Sequence, residues 1–138
     1  MKKEYGRSMI EMLGVLAIIG VLSIGGLAGY TMAMNRHRAN SVLEYVSRCG
    51  VLAQTRGSGA AADLGATTCN ALMTDTAPIG NAVDYQVSAV NANNEFTLTT
   101  PNLGTAVAEA ITTRNSANAN PQIAAGAGEG VIVFTFEI

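Results

Sequence analysis

The chain has little of the chemistry that enzymes and metal sites need. It contains one histidine, His37, which lies between two arginines, and only two cysteines, Cys49 and Cys69. No set of serine or cysteine with histidine and an acid can be recognised, and the cysteine spacing is not a zinc pattern. The aspartates are too scattered for a calcium loop. We therefore expect no catalytic residue, no cofactor and no bound metal, and the protein is not predicted to be an enzyme.

Charge is missing from a long stretch near the N-terminus. No charged residue lies between Glu11 and Arg36, and an apolar run extends from Met12 to Met34. As a helix rising ~1.5 Å per residue, this run would span roughly 35 Å, enough to cross a hydrocarbon core of about 30 Å. It is longer than the about 7–15 apolar residues of a secretory signal. The run therefore predicts a single-pass transmembrane helix.

Glu11 stands at the entrance of this apolar run. A carboxylate in hydrocarbon costs several kcal/mol unless a cation accompanies it, so this layout indicates a partner that brings a positive charge. A second interpretation stays open beside it. Ser8 and Glu11 have the spacing of a capping box, in which the two side chains bond free backbone N–H groups at a helix start.

The residues before the run resemble the signal of type IV prepilins. Lys2-Lys3 and Gly6 are followed by Arg7 and then by Ser8-Met9-Ile10-Glu11 and the apolar run. This order is typical of the type IV pilin and pseudopilin family. The resemblance implies that a membrane-bound prepilin peptidase removes residues 1–6 by cutting between Gly6 and Arg7, and that it methylates the new amine of Arg7.

In the same family, the carboxylate at the position of Glu11 serves assembly. Two residues depart from the family pattern: Arg7 stands where Phe, Met or Leu is usual, and Ala28 stands where many pilins have Pro. The alternative for the whole segment is a plain signal anchor that keeps residues 1–6.

The helix is expected to continue beyond the apolar run, to about Arg56. Apolar residues recur there at spacings of three and four, which defines one face of an amphipathic helix. Gly50 interrupts this stretch and weakens the prediction for the last turns. The face consists of Ala39, Val42, Leu43, Val46, Cys49, Leu52 and Ala53. We therefore predict one long helix over residues 7–56, with its apolar half at 12–34.

Residues 57–138 are enough for one small globular head. The patterns predict a loop over 60–78 with a short helix around 69–73, strands at 85–90 and 95–100 joined by a hairpin at 91–94, a helix at 102–114, a loop at 116–130 and a C-terminal strand at 131–138. The last strand would aggregate if exposed, so it should pair within the sheet. The fold class is α+β, and by resemblance pilin-like: a long N-terminal helix, its first half in the membrane or filament core, packed on a small antiparallel sheet.

Cys49 and Cys69 would lie beyond the membrane, in an oxidising compartment. A bridge between them would tie the loop after the helix back onto the helix, and loop-entropy models assign about 3 kcal/mol to a loop of that size. Two buried free thiols are the alternative.

Charge is unevenly placed along the chain. From Arg7 to Arg56 there are five arginines against two acids, whereas from Gly57 onward one arginine stands against seven acids. A basic stalk and an acidic head would suit packing of one subunit's head against its neighbour's stalk, although two separately solvated surfaces would give the same pattern. The acidic head argues against direct binding of nucleic acid.

These observations predict a structural subunit of an extracellular helical filament, in the first place a type IV major pilin. The alternatives are a type II secretion pseudopilin and, from another class, a membrane-anchored binding domain that never polymerises. The expected partners are copies of the same chain, the prepilin peptidase, an inner-membrane assembly platform, and membrane lipid before assembly. The expected location is the bacterial inner membrane, as a single-pass protein, and then the pilus.

Overall fold

The computed structural model describes residues 4–57, 65–114 and 120–138. Met1, Lys2 and Lys3 of the predicted leader lie outside these residues. The first element, α1, is one helix over Glu4–Gly57. The chain divides into two compact units, Met1–Met34 and Asn35–Ile138, because the second part of α1 belongs to the head.

The first unit is the apolar part of α1. Its helix satisfies backbone N–H and C=O groups within the segment, as a membrane span must. The hydroxyls inside the run are satisfied in the same way: Ser23 donates to the carbonyl of Ile19 at 2.7 Å, and Thr31 donates to the carbonyl of Ala28 at 2.9 Å. These hydrogen bonds lower the cost of placing the two hydroxyls in hydrocarbon.

The second unit adds the remaining elements to the end of α1. They are β1 (Thr67–Thr68), α2 (Cys69–Leu72), a 3-10 turn (Ala82–Asp84), β2 (Gln86–Val87), β3 (Glu95–Thr99), α3 (Thr105–Thr112), β4 (Gln122–Ala125) and β5 (Ile132–Glu137). The strands form one antiparallel sheet in the order β1-β2-β3-β5-β4. A long N-terminal helix packed on a small antiparallel sheet confirms the predicted α+β class.

The C-terminal strand is the centre of this sheet. β5 pairs with β3 on one side and with β4 on the other, with Leu98 opposite Phe134 and Phe96 opposite Phe136. Both edges of the most aggregation-prone segment are therefore paired, as predicted. The predicted hairpin also forms: Asn91 closes the turn by accepting the backbone N–H groups of Asn93 and Glu95 on its side-chain oxygen.

Two parts of the head differ from the sequence prediction. The segment predicted as a loop over 116–130 contains β4, and the loop over 60–78 contains β1. β4 lies at an edge of the sheet and is mostly exposed, so its side chains lack the apolar alternation of a half-buried strand. Pairing with β5 determines the conformation of β4. This pairing produces no recognisable strand pattern in the sequence of β4 itself.

The core lies between one face of α1 and the inner face of the sheet. The buried helix residues mostly follow the predicted stripe. Leu43 is only half-buried and Leu52 is exposed, whereas Tyr45, outside the stripe, is buried. α3 closes the core from the side with two buried residues. The core consists of Ala39, Val42, Tyr45, Val46, Cys49, Ala53, Cys69, Tyr85, Val87, Phe96, Leu98, Leu103, Val107, Ile111, Ile132, Phe134 and Phe136.

Gly50 brings the helix close to the sheet. A Cβ atom added there would collide with the ring of Phe136, which is buried and stacked on Phe96 with the ring centroids 5.0 Å apart. The ring has little room to move, because it is already stacked on Phe96. Gly50 therefore lowers helix propensity but permits the packing of α1 on β5.

We expect Gly50→Val to destabilise the head by about 1–3 kcal/mol, the usual cost of overpacking a core. Thermal or urea unfolding of the detergent-solubilised chain, followed by circular dichroism, measures the change. Ser47→Val is the matched control, because it places the same side chain on the exposed side of the same helix. Equal stability of the two variants would contradict the close approach at Gly50.

Candidate functional site

The apolar part of α1 is exposed in the described part of the chain. Its large side chains are exposed, with Ile10 at 72% and Val21 at 73%, and the most apolar window of the helix is not buried at all. By length and composition this helix can cross a membrane, a test that a signal sequence near an N-terminus also passes. Such a surface needs lipid or another protein to cover it.

The glycines of this segment contact nothing among residues 4–57, 65–114 and 120–138 that a side chain would displace. A Cβ atom added to any of them would meet nothing within 4 Å. Each glycine nevertheless lowers helix propensity by about 1 kcal/mol relative to alanine in water. Small residues of this kind let helix backbones approach closely in lipid. They are Gly14, Gly20, Gly25, Gly26 and Gly29.

The predicted processing and assembly residues lie in the first turns of α1. The helix runs through Gly6 and Arg7 in the uncleaved chain, so Ser8 and Glu11 lie inside it and not at its start. A capping box needs free backbone N–H groups, which are found at a helix N-terminus. Cleavage after Gly6 would create such a terminus next to Ser8. Cleavage at Gly6 and the assembly role of Glu11 stay predictions.

Cys49 and Cys69 form a disulfide that joins α1 to the first residue of α2. Their Cα atoms are 5.7 Å apart, and both residues are fully buried. The bridge decides between the two interpretations that the sequence left open. It fixes the segment after the helix onto the helix itself, 20 positions apart in sequence.

We expect Cys69→Ser to lower the stability of the head by about 3 kcal/mol, the entropy of the lost loop constraint. Thermal unfolding of the solubilised chain measures this loss. In the unchanged protein, thiol labelling should fail unless a reductant is present, and the mass should be two hydrogens below that of the reduced chain. Full labelling of both thiols in unreduced protein would refute the bridge.

A pocket of about 320 Å³ opens on the head between α1 and the segment after α2. Arg48 spans it: the guanidinium lies 2.5 Å from a Glu44 oxygen and 3.2 Å from an Asp75 oxygen. The hydrogen bond to Asp75 and the charge of Glu44 raise the pKa of Arg48. All three side chains are more than half exposed, so the two ion pairs add little stability. The lining residues are Ser41, Glu44, Tyr45, Arg48, Asp75, Thr76 and Pro78.

Tyr45 is the buried member of this pocket. Its ring packs edge-on against Tyr85, with centroids 4.9 Å apart, and only 5% of the residue is exposed. Its hydroxyl has no hydrogen-bond partner among the residues that the structure describes, whereas the Tyr85 hydroxyl donates to the carbonyl of Ile79 at 2.8 Å. Burial, and then the charge of Asp75, raise the pKa of Tyr45, which therefore stays a neutral phenol.

Sequence analysis missed this pocket. Tyr45 fell outside the predicted apolar stripe, and Asp75 fell in the predicted loop over 60–78. The available signal was the i, i+4 pair of Glu44 and Arg48 beside a tyrosine, which is common on solvated helix faces and carries little information.

Within residues 4–57, 65–114 and 120–138, no group of three or more His, Cys, Asp or Glu side chains is placed to hold a metal ion. The observed architecture, a long apolar N-terminal helix on a small antiparallel sheet with a disulfide, is compatible with a pilin-like fold. Comparison of the chain with protein-family models, with curated proteins and with solved structures finds no match.

Proposed function

We propose that the chain is the structural subunit of a helical filament, a type IV pilin that assembles through α1 after residues 1–6 are removed. In this proposal the apolar segment anchors the precursor in the inner membrane. The same segment then enters the filament core, where copies of the helix replace lipid as its covering. The head lies on the outer side of the membrane, where the Cys49–Cys69 bridge can form.

One observation carries the proposal: an exposed apolar helix holds a single carboxylate, Glu11, at its entrance, five residues after Gly6, which ends a short basic leader. A plain membrane anchor needs the apolar run but has no use for a carboxylate at that depth. The open space around the glycines supports the same interpretation, because helices of other copies can approach closely there.

Intact mass and N-terminal sequencing of sheared surface filaments test the proposal. We expect filaments built of a chain that begins at Arg7 with a methylated amine. A protein that keeps residues 1–6 and forms no filaments would instead be a membrane-anchored binding domain. Cleaved subunits without surface filaments, together with a secretion defect when the gene is deleted, would indicate a type II secretion pseudopilin.

A further inference from the structure

Three arginines meet at the N-terminal end of the head unit. Arg36 and Arg38 follow the apolar run by two and four residues on α1, and both are exposed. Arg114 comes from the end of α3, 74 positions after Asn40, and its guanidinium donates a hydrogen bond to the side-chain oxygen of Asn40 at 2.6 Å. We call Arg36, Arg38 and Arg114 the basic collar.

Helix geometry places Arg114 beside Arg36. Asn40 lies four residues after Arg36, so the two are neighbours on the same side of α1, one turn apart. Because Arg114 contacts Asn40, its guanidinium lies about one helical turn from Arg36. Arg38 points about 200° away from Arg36 around the helix. The basic collar therefore presents positive charge on both sides of α1.

No carboxylate pairs with the basic collar among residues 4–57, 65–114 and 120–138. The ion pairs that these residues form with one another both belong to Arg48. Glu109 lies on α3, five residues before Arg114, and makes no ion pair with it. The positive charge of the basic collar is therefore not neutralised within the described part of the chain.

An acidic pair lies at the opposite end of the head unit. Glu95 and Glu137 stand directly opposite each other on β3 and β5. The backbone carbonyl of Glu137 accepts a hydrogen bond from the side chain of Gln54 at 2.8 Å. Gln54 follows Arg38 by 16 residues, which is about 24 Å of helix. The head unit is therefore basic where α1 leaves the apolar run and carries its acidic pair far from that end.

The position of the basic collar favours a lipid surface as its partner. The apolar run is long and apolar enough to cross a membrane. If it spans the hydrocarbon core, residues two and four positions beyond it lie at the level of the lipid headgroups. Side chains of a helix tilt toward its N-terminus, so Arg36 and Arg38 lean back toward the run. Guanidinium groups match phosphate geometry, and anionic lipid attracts basic residues next to a membrane span.

We propose that the basic collar binds the phosphate headgroups of anionic phospholipid while the apolar run spans the membrane, an inference that rests on the membrane anchor of the proposed function. Arg36 and Arg38 contribute from α1 itself. Arg114 contributes from the head, so the end of α3 faces the bilayer and the acidic pair of Glu95 and Glu137 is held away from it.

Lipid retention tests the contact. Native mass spectrometry is applied to the full chain, released from detergent micelles that hold equal amounts of phosphatidylglycerol and zwitterionic phosphatidylethanolamine. We expect the wild type to retain phosphatidylglycerol preferentially. Each arginine near an anionic surface strengthens binding roughly fivefold, so Arg114→Gln should lower this preference roughly fivefold and Arg36→Gln combined with Arg38→Gln roughly 25-fold.

Arg56→Gln is the matched control, because it removes the same charge from an exposed position near the far end of α1. It should leave the preference for phosphatidylglycerol unchanged. An unchanged preference in Arg114→Gln or in the double variant, or an equal loss in Arg56→Gln, would overturn the proposal.

Fluorescence quenching tests where the basic collar lies. Thr113→Cys places one reactive thiol beside Arg114, because Cys49 and Cys69 are bridged and fully buried. In vesicles that contain phosphatidylglycerol and a lipid spin-labelled on its headgroup, a fluorophore at this site should be strongly quenched. The same fluorophore at Thr55→Cys, near the far end of α1, should be quenched far less. Equal quenching at the two sites would overturn the proposal.

The outcomes separate lipid from a neighbouring subunit as the partner. If the arginine variants keep the lipid preference but lose filaments, the basic collar binds another copy and the lipid proposal is wrong. If the wild type shows the lipid preference and the quenching but forms no filaments, the filament is refuted and the lipid contact is supported. Release of the wild-type chain from membranes by alkaline carbonate would refute the membrane anchor and the lipid contact together.

Discussion

A valine at position 6 is expected to leave the chain uncleaved and the cell without filaments. Gly6 lies within the helical backbone of the uncleaved chain. A peptidase must open the helix at the bond it cuts. Glycine makes this opening easier, because it destabilises a helix by about 1 kcal/mol relative to alanine. A β-branched residue also places bulk next to the scissile bond. By the family resemblance, the peptidase site accepts glycine at this position.

The measurement is the intact mass of Gly6→Val from membranes, together with electron microscopy of the cell surface. Uncut precursor should accumulate, and filaments should be absent. Gly14→Val is the control, because it places the same side chain at another helical glycine with open space around it, beyond the predicted cut. This control should be cleaved normally, whatever it does to packing. Normal filaments from Gly6→Val would show that cleavage after Gly6 is not required.

Most of the architecture could be predicted because it depends on local patterns. The apolar run, the striped second half of α1 and the alternating strand at the C-terminus each carry a strong periodic signal. The hairpin could be predicted from its asparagine-rich turn, and the structure shows why: Asn91 bonds the backbone of the turn with its side chain. β4 could not, because its exposed edge position gives its residues no pattern.

Details of the core were harder to predict because they depend on which neighbour a residue meets. From the sequence alone, Gly50 indicates only low helix propensity. The position of the Phe136 ring shows in addition that a larger residue does not fit there. Leu52 matched the helical spacing but is exposed, while Tyr45, off the predicted stripe, is buried in the core. Spacing along a helix indicates which side is apolar, but burial also depends on which segments of the head cover each turn.

Of the candidate sites, some could be predicted from the sequence and one could not. The leader and Glu11 are visible in the sequence because their positions relative to the apolar run are fixed. The pocket of Glu44, Tyr45 and Asp75 is not visible, since it depends on the segment after α2 folding back beside α1. The disulfide at Cys69 holds the first residue of α2, which precedes that segment. The disulfide therefore helps to position the residues that line the pocket, in addition to stabilising the head.

Replacing Glu11 by leucine is expected to leave cleavage and membrane insertion intact while nearly abolishing filaments. Insertion becomes more favourable, because leucine suits hydrocarbon and glutamate does not. Assembly loses the one carboxylate in the apolar segment. In the proposed filament, the cation that pairs with this carboxylate is the amine that cleavage would create at Arg7, and the family picture favours the amine of a neighbouring subunit. The Arg7 guanidinium could compete for the same carboxylate.

The size of this pairing explains why the effect should be large. Opposite charges about 4 Å apart attract by about 4 kcal/mol at an effective dielectric near 20, before the desolvation of both groups is subtracted. The net gain in stability is therefore smaller than the attraction. Its stronger effect is on register, because any other axial position leaves a carboxylate and an ammonium group unpaired in an apolar core, which costs far more than the pair gains. Arg7→Phe should be tolerated, since the backbone amine remains.

Glu11→Gln separates the charge pair from the capping box. Glutamine can serve in a capping box as glutamate does, but it carries no charge. If the charge pair governs assembly, Glu11→Gln should form as few filaments as Glu11→Leu, while both variants are cleaved like the wild type. If the capping box governs assembly, glutamine should restore the filaments that leucine loses. Filament yield from sheared cells, normalised to cleaved subunit in the membrane, measures the difference, and wild-type yield from Glu11→Leu would exclude both mechanisms.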